Sequence, residues 1–160
     1  MRIVEGDLDD PRVDELIRLH LTRAREETAP NSSHALDTRG LRAPHISFWT
    51  IWENDMLLGC GALRMLSPGH GEVKSMHTAE AHRGRGVGGV MLRYIISVAR
   101  ARNLSRLSLE TGSWDYFKPS HAFYQKHGFK PCGPYEHYIA DPNSVFFTLD
   151  LIKPASPPSA

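Results

Sequence analysis

The sequence predicts a mixed α/β fold in which one sheet is flanked by helices, and three observations predict it. Three β-rich runs follow one another between residues 46 and 78, joined by short turns. A glycine-rich loop then opens an apolar helix. Past that helix, strand and helix alternate once more before a last apolar run, VFFTLDL. The resulting order, β-α-(α)-β-β-β-α-β-α-β(-β), is a meander feeding a strand–helix–strand unit, not a βαβ alternation throughout.

Each element has its own grounds. MRIVEG reads as a short first strand. Asp9, Asp10 and Pro11 mark a helix start, because proline's missing N–H costs nothing in the first turn. Val13, Leu16, Ile17 and Leu21 follow at helical spacing and should face a core. Residues 33–41 read as a short helix, ended near Gly40 and Pro44. Residues 46–52, rich in β-branched and aromatic side chains, form a hairpin with 56–66 about Glu53-Asn54-Asp55. Gly59 and Gly61 interrupt the second of these strands, the mark of a bulge or of backbone passing close by. Residues 72–78 are the third strand of the series. Residues 90–101 form a buried helix whose stripe is Met91, Ile95 and Val98, and Asn103 can take the left-handed position that ends it. Residues 104–110 are a strand with alternating Leu107 and Leu109, and 111–119 are a loop. Residues 120–127 are a helix stopped by Gly128, and 145–151 are the last strand. One domain spans 1–152, and the polar, proline-rich tail 153–160 is expected to be disordered.

Composition bounds the function. The 160 residues suffice for one domain with a sizeable core, at 41% hydrophobic and 23% charged. A formal net charge of +1 gives no electrostatic ground for nucleic acid or a membrane surface as partner. Cys60 and Cys132 are too few for a disulfide framework or a metal quartet, and the nine histidines are scattered, so no metal site is expected. The N-terminus lacks the apolar core of a signal peptide and no run approaches a membrane span, so a cytoplasmic location is expected.

Read literally, residues 84–89 spell G-x-G-x-x-G, and Glu110 follows where a dinucleotide fingerprint wants an acid. Two features oppose that reading. Residues 79–83 separate the loop from its strand, and the strand belongs to an antiparallel series. An anion site remains. Glycines let backbone N–H groups converge, and the following helix turns its positive end toward the loop. Between residues 79 and 106, Arg83, Arg85, Arg93, Arg100, Arg102 and Arg106 stand against one acid, Glu80. On this loop alone, a plain connector stays open.

A second motif, HAFYQKHGF at residues 121–129, changes the balance: a tyrosine on a helix, four residues before the glycine that ends it. Residues 83–88 also fit [QR]-x-x-G-x-[GA]. With both motifs and this element order, the chain resembles the GNAT superfamily of acyl-CoA-dependent N-acetyltransferases. The resemblance covers nearly the whole chain in strand and helix order, and its motifs lie between residues 72 and 129.

That resemblance implies a central, mostly antiparallel sheet that splays at the cofactor site. It implies acetyl-CoA as co-substrate and direct attack on the thioester by an amine of a small molecule or a protein. Arg83, Gly84, Arg85, Gly86, Val87 and Gly88 would hold the pyrophosphate through backbone N–H groups. Met76 and Thr78 would pair with the pantetheine, and Tyr124 would stand beside the sulfur. Such chemistry needs a neutral amine, an oxyanion donor and a proton for the leaving thiolate. Tyrosine, with a reference pKa of about 10, keeps its proton at neutral pH.

For the base, the resemblance points to Glu72, often acting through water. An even separation would set Glu72 on one face with Met76; its other reading is a solvent-facing charge. His77, on the opposite face, and His121, one turn before Tyr124, are further candidates. The chain departs from the family in carrying Phe117 where many members have Asn, with Ser113 and Ser120 as substitutes. Trp114, Tyr116, Phe117, Tyr135 and Tyr138 fall in loops expected to flank the acceptor cleft or to form a homodimer surface. A non-catalytic acyl-CoA sensor of the same fold is the alternative function.

Overall fold

The computed structural model describes residues 1–152; the tail expected to be disordered lies outside the described residues. Strands β1 (Arg2–Glu5), β2 (Ile46–Glu53), β3 (Met56–Ser67) and β4 (His70–Thr78) run as an antiparallel series. β5 (Arg106–Gly112) lies parallel to β4, and β7 (Ser144–Asp150) returns antiparallel between β5 and the short β6 (Lys130–Cys132). The sheet order is β1-β2-β3-β4-β5-β7-β6. Helices α1 (Pro11–Glu26), α2 (Thr38–Leu41), α3 (Val87–Ala101) and α4 (Lys118–Lys126) complete the fold. The mixed, mostly antiparallel sheet is the expected one.

Local chemistry sets the helix ends. Asp10 caps α1 by accepting the Arg12 N–H, with Pro11 in the first turn. α2 is shorter than expected because Asp37 caps it through the Gly40 N–H, which leaves 33–36 outside the helix. α3 starts three residues earlier than expected. Gly86 is its N-cap at φ +80°, so Gly88 and Gly89 belong to the first turn. Asn103, at φ +61°, takes the left-handed position its sequence suggested.

Each sheet face has its own core. On one, Met91, Leu92 and Ile95 of α3 pack on Leu63, Val73, Leu107, Leu109 and Phe147. On the other, Val13, Leu16 and Ile17 of α1 pack on Phe48, Trp52 and Ala62. Burying each such side chain contributes about 1.5–3 kcal/mol. The close backbone foreseen at the β3 glycines is present at Gly59, where a Cβ would stand 2.7 Å from the His77 carbonyl oxygen; at Gly61 the close neighbour is a side chain instead, Met91 at 2.7 Å.

Two irregularities of β4 make the site. β4 pairs with β5 only at His70↔Arg106, Gly71↔Leu107 and Glu72↔Ser108; beyond Glu72 the strands part. β4 also bulges against β3. Cys60 faces His77 and Ala62 faces Lys74, so two steps on β3 oppose three on β4, with Ser75 at φ +55°. The extra residue reverses the alternation. Met76 packs with Val73 under α3, whereas Glu72 and Lys74 turn to the other face, where Tyr138 meets both. His77 also turns away from α3 and packs against His20 of α1, the rings tilted by 49° with centroids 5.0 Å apart. The expected shared face of Glu72 and Met76 is thus corrected: counting by twos fails across a bulge.

Candidate active site

Where β4 and β5 part, a cavity of about 550 Å³ opens. Its walls are β4 from Val73 to Thr78, β5 from Leu109 to Gly112, the glycine loop with the first turn of α3, and α4 with Phe117 before it. The end of α1 and residues 32–35 close the remaining side. The gap joins the two faces of the sheet. Tyr124 of α4 belongs to the core under α3. Glu110 alternates with Leu109, which is in that core, and so projects to the opposite face.

The α3 side is shaped for an extended anionic ligand. Beyond Glu72 the edge of β4 that faces β5 has no strand partner. The first N–H groups of α3 point out of the helix without an intrahelical acceptor. Gly84 and Gly86 stand at φ +78° and +80°, and a Cβ on either would meet nothing within 4 Å. The loop is therefore open over the positive end of α3. Of the residues expected to hold the cofactor, Met76, Thr78, Arg83, Gly84, Gly86, Val87, Gly88 and Ser120 line the cavity. Arg85 is not among them; its guanidinium binds Glu53 at 2.7 Å and His82 Nδ1 at 3.1 Å. Ser113 is not among them either, its hydroxyl donating to the Pro142 carbonyl at 2.8 Å. Phe117 lies over Gly112, where any Cβ would run into its ring.

The expected proton-transfer residues separate. Tyr124 is 7% exposed, lines the cavity, and its hydroxyl makes no hydrogen bond among the described residues. Burial pushes its phenol well above the ordinary range, so it keeps its proton. Glu72 is fully buried and does not line the cavity. Its Oε2 accepts the Tyr135 hydroxyl and, at 2.7 Å, the Tyr138 hydroxyl. Its Oε1 has no hydrogen bond, with Lys74 Nζ at 3.9 Å and Arg64 Nη1 at 4.0 Å. Tyr135 and Tyr138, expected beside the acceptor cleft, are thus buried around this carboxylate instead.

The two histidine candidates fare no better as bases. His77 lines the cavity, but burial pulls its pKa down to about 4, which makes it a weak base. His121 lies outside the lining, its Nε2 engaged by Thr111 Oγ1 at 2.7 Å and the Gly112 carbonyl at 3.0 Å. Glu110 is the carboxylate that does line the cavity. Burial pushes its pKa up to about 7, against the opposing pull of Lys74. A carboxylate with that pKa changes charge where a general base at neutral pH must. In the sequence Glu110 stands out only as the acid of the dinucleotide fingerprint. The signal for its real setting was the alternation Leu107-Ser108-Leu109-Glu110, which places a carboxylate on the polar face of a buried strand.

The sequence pattern of the acetyltransferase (GNAT) family matches residues 13–129. The chain belongs to the GNAT family. This GNAT chain is 46% identical over 149 residues to the uncharacterized N-acetyltransferase YedL of Escherichia coli K12, covering 93% of the one and 94% of the other. It is 38% identical over 121 residues to an IAA acetyltransferase of Azospirillum brasilense, covering 75% and 78%. Among solved structures, a Bacillus subtilis acetyltransferase in complex with CoA shares the fold at a TM-score of 0.71, with 20% identity, over 94% of this chain and 99% of that one. The GNAT chain is an acetyltransferase whose acyl donor is acetyl-CoA. No helix among its described residues is long and apolar enough to cross a membrane.

Proposed function

We propose that this acetyltransferase passes the acetyl group to the amine of a small acceptor, with Glu110 as base and Tyr124 as acid. One observation carries the reading: the two side chains line a single cavity from opposite faces of the sheet, through the gap between β4 and β5. A cavity of this size is in the range of small-molecule sites. Acetyl-CoA enters from the α3 side. Residues 83–88 take its pyrophosphate through backbone N–H groups, and Met76 and Thr78 offer backbone to the pantetheine.

The acceptor enters from the side of Glu110. An ammonium has no lone pair, so the ionised Glu110 first removes a proton. The amine nitrogen then attacks the thioester carbonyl carbon, and the C–N bond forms as the carbonyl oxygen becomes an oxyanion. An unpaired N–H on the β4 edge faces that charge. When the intermediate collapses, the C–S bond breaks and Tyr124 gives its proton to the departing thiolate, while the extra proton on the nitrogen leaves through solvent and restores the tyrosine, giving a neutral amide and free thiol.

Thiol release from acetyl-CoA, measured with the full chain across a panel of amines, tests the reading. Release that depends on the amine, with an N-acetylated product, is the expected result. Release independent of any amine, or acetylation at oxygen, would overturn it.

A further inference from the structure

We propose that the acceptor is an amino acid or a close analogue: a molecule that carries a carboxylate beside the amine to be acetylated. The inference rests on the acetyl-transfer reading of this cavity and names the class of its second substrate. Two side chains of opposite charge, Glu110 on β5 and Lys74 on β4, line the cavity, and no ion pair joins them among the described residues.

Lys74 is built to hold a further anion. Its ammonium donates to the His34 carbonyl at 2.8 Å and more loosely to the Tyr138 hydroxyl at 3.4 Å, which leaves a third donor. Its counter-charge is shared. Glu72 stands 3.9 Å from Lys74 and 4.0 Å from Arg64, so neither cation has that carboxylate to itself and neither is within hydrogen-bond reach of it.

Two hydroxyls add to this. Thr28 and Ser75 line the same cavity at 6% and 8% exposure, and their side-chain oxygens have no hydrogen-bond partner. Buried polar groups are rarely left unpaired unless something else pairs with them. An ammonium and two hydroxyls are the donors a carboxylate takes. The three histidines that line the cavity do not compete, because burial lowers each of them, His20 to about 3, His77 to about 4 and His34 below its ordinary value. An α-amino acid sets its carboxylate one carbon from its amine, so an ammonium docked on Glu110 turns its carboxylate toward Lys74.

The test is thiol release from acetyl-CoA with matched acceptors: each free amino acid against its α-amide and its decarboxylated amine. For at least one amino acid, kcat/KM should exceed that of both partners by about ten-fold or more, because a site built around a polar group is left with unpaired buried groups when the acceptor lacks it. Lys74→Met should collapse that ratio toward one. Thr28→Val, which removes a hydroxyl at constant shape, should lower it in a variant that keeps the buried charges. Equal turnover of amino acid, amide and amine by the unaltered protein would overturn the proposal, as would a ratio that survives both substitutions. If amines without a carboxylate are acetylated and amino acids are not, the acceptor class is wrong and the acetyl-transfer reading stands. If no amine of either kind is acetylated, both fall.

Discussion

Tyr138 donates its hydroxyl to Oε2 of Glu72 at 2.7 Å, in a place that solvent does not reach. This bond, with its neighbour from Tyr135, makes Glu72 part of the frame beneath the cavity. Tyr138→Phe should cost about 1.5–3 kcal/mol of stability, the usual worth of a hydrogen bond to a charged group. Glu72→Gln should cost more, on the order of 3 kcal/mol, because it strands Lys74 and Arg64 without their counter-charge. Urea unfolding at pH 7 measures both.

Glu110 links stability to pH. Its pKa is raised from 4.5 to about 7 in the fold, where Lys74, Glu72 and Asp141 are the charged groups acting on it. The folded form therefore holds the proton more tightly than the unfolded chain. Stability falls as pH rises from about 4.5 to about 7, and the burial cost is fully present above that. Glu110→Gln removes the dependence. Relative to the unaltered protein, the variant should gain thermal stability between pH 5 and pH 8, and a difference in Tm that stays constant with pH would contradict the burial of this carboxylate.

Tyr124→Phe removes a hydroxyl and keeps the ring that packs on Phe123 and Phe129. Loss of the proton donor should lower kcat by about 10²–10⁴. The dissociation constant for acetyl-CoA, followed by calorimetry, should not change. A loss of binding in place of turnover would make Tyr124 a packing residue.

Gly86→Val asks a β-branched residue to hold φ +80° at the N-cap of α3. The loop should either shift or strain, and the rise in Tm that acetyl-CoA gives the unaltered chain by mass action should vanish. A variant with normal circular dichroism and an undiminished shift would reduce the loop to a connector.

Much of the fold could be read in the residues because the signals were local. The stripe Val13, Leu16, Ile17 and Leu21 is the buried face of α1, and Asn103 ends the α3 region as its αL tolerance suggests. The two cofactor-side motifs come together on one cavity because each is a short stretch at the start or within one helix. The bulge was not legible. Lys74-Ser75-Met76 carries no glycine or proline to mark it, and its positive φ at Ser75 is imposed by the pairing with β3. That single extra residue undid the assignment of Glu72 to the cofactor face. Glu110 was missed for a different reason: it lines the cavity only because β5 leaves β4 after Ser108, which is a tertiary event. Tyr135 and Tyr138 lie in a loop rich in proline and polar residues, and nothing near them in sequence announces the buried carboxylate they serve.

The most direct measurement is the pH dependence of kcat/KM for acetyl transfer, from pH 5 to 9, in the unaltered chain, in Glu110→Gln and in Glu72→Gln. A base must be ionised to accept a proton, so activity in the unaltered chain should rise with pH through about 7, following Glu110. That rise should disappear in Glu110→Gln along with most of the rate, and should persist in whatever fraction of Glu72→Gln folds. A rise that survives in Glu110→Gln and is lost in folded Glu72→Gln would return the base to Glu72 and contradict the site described above.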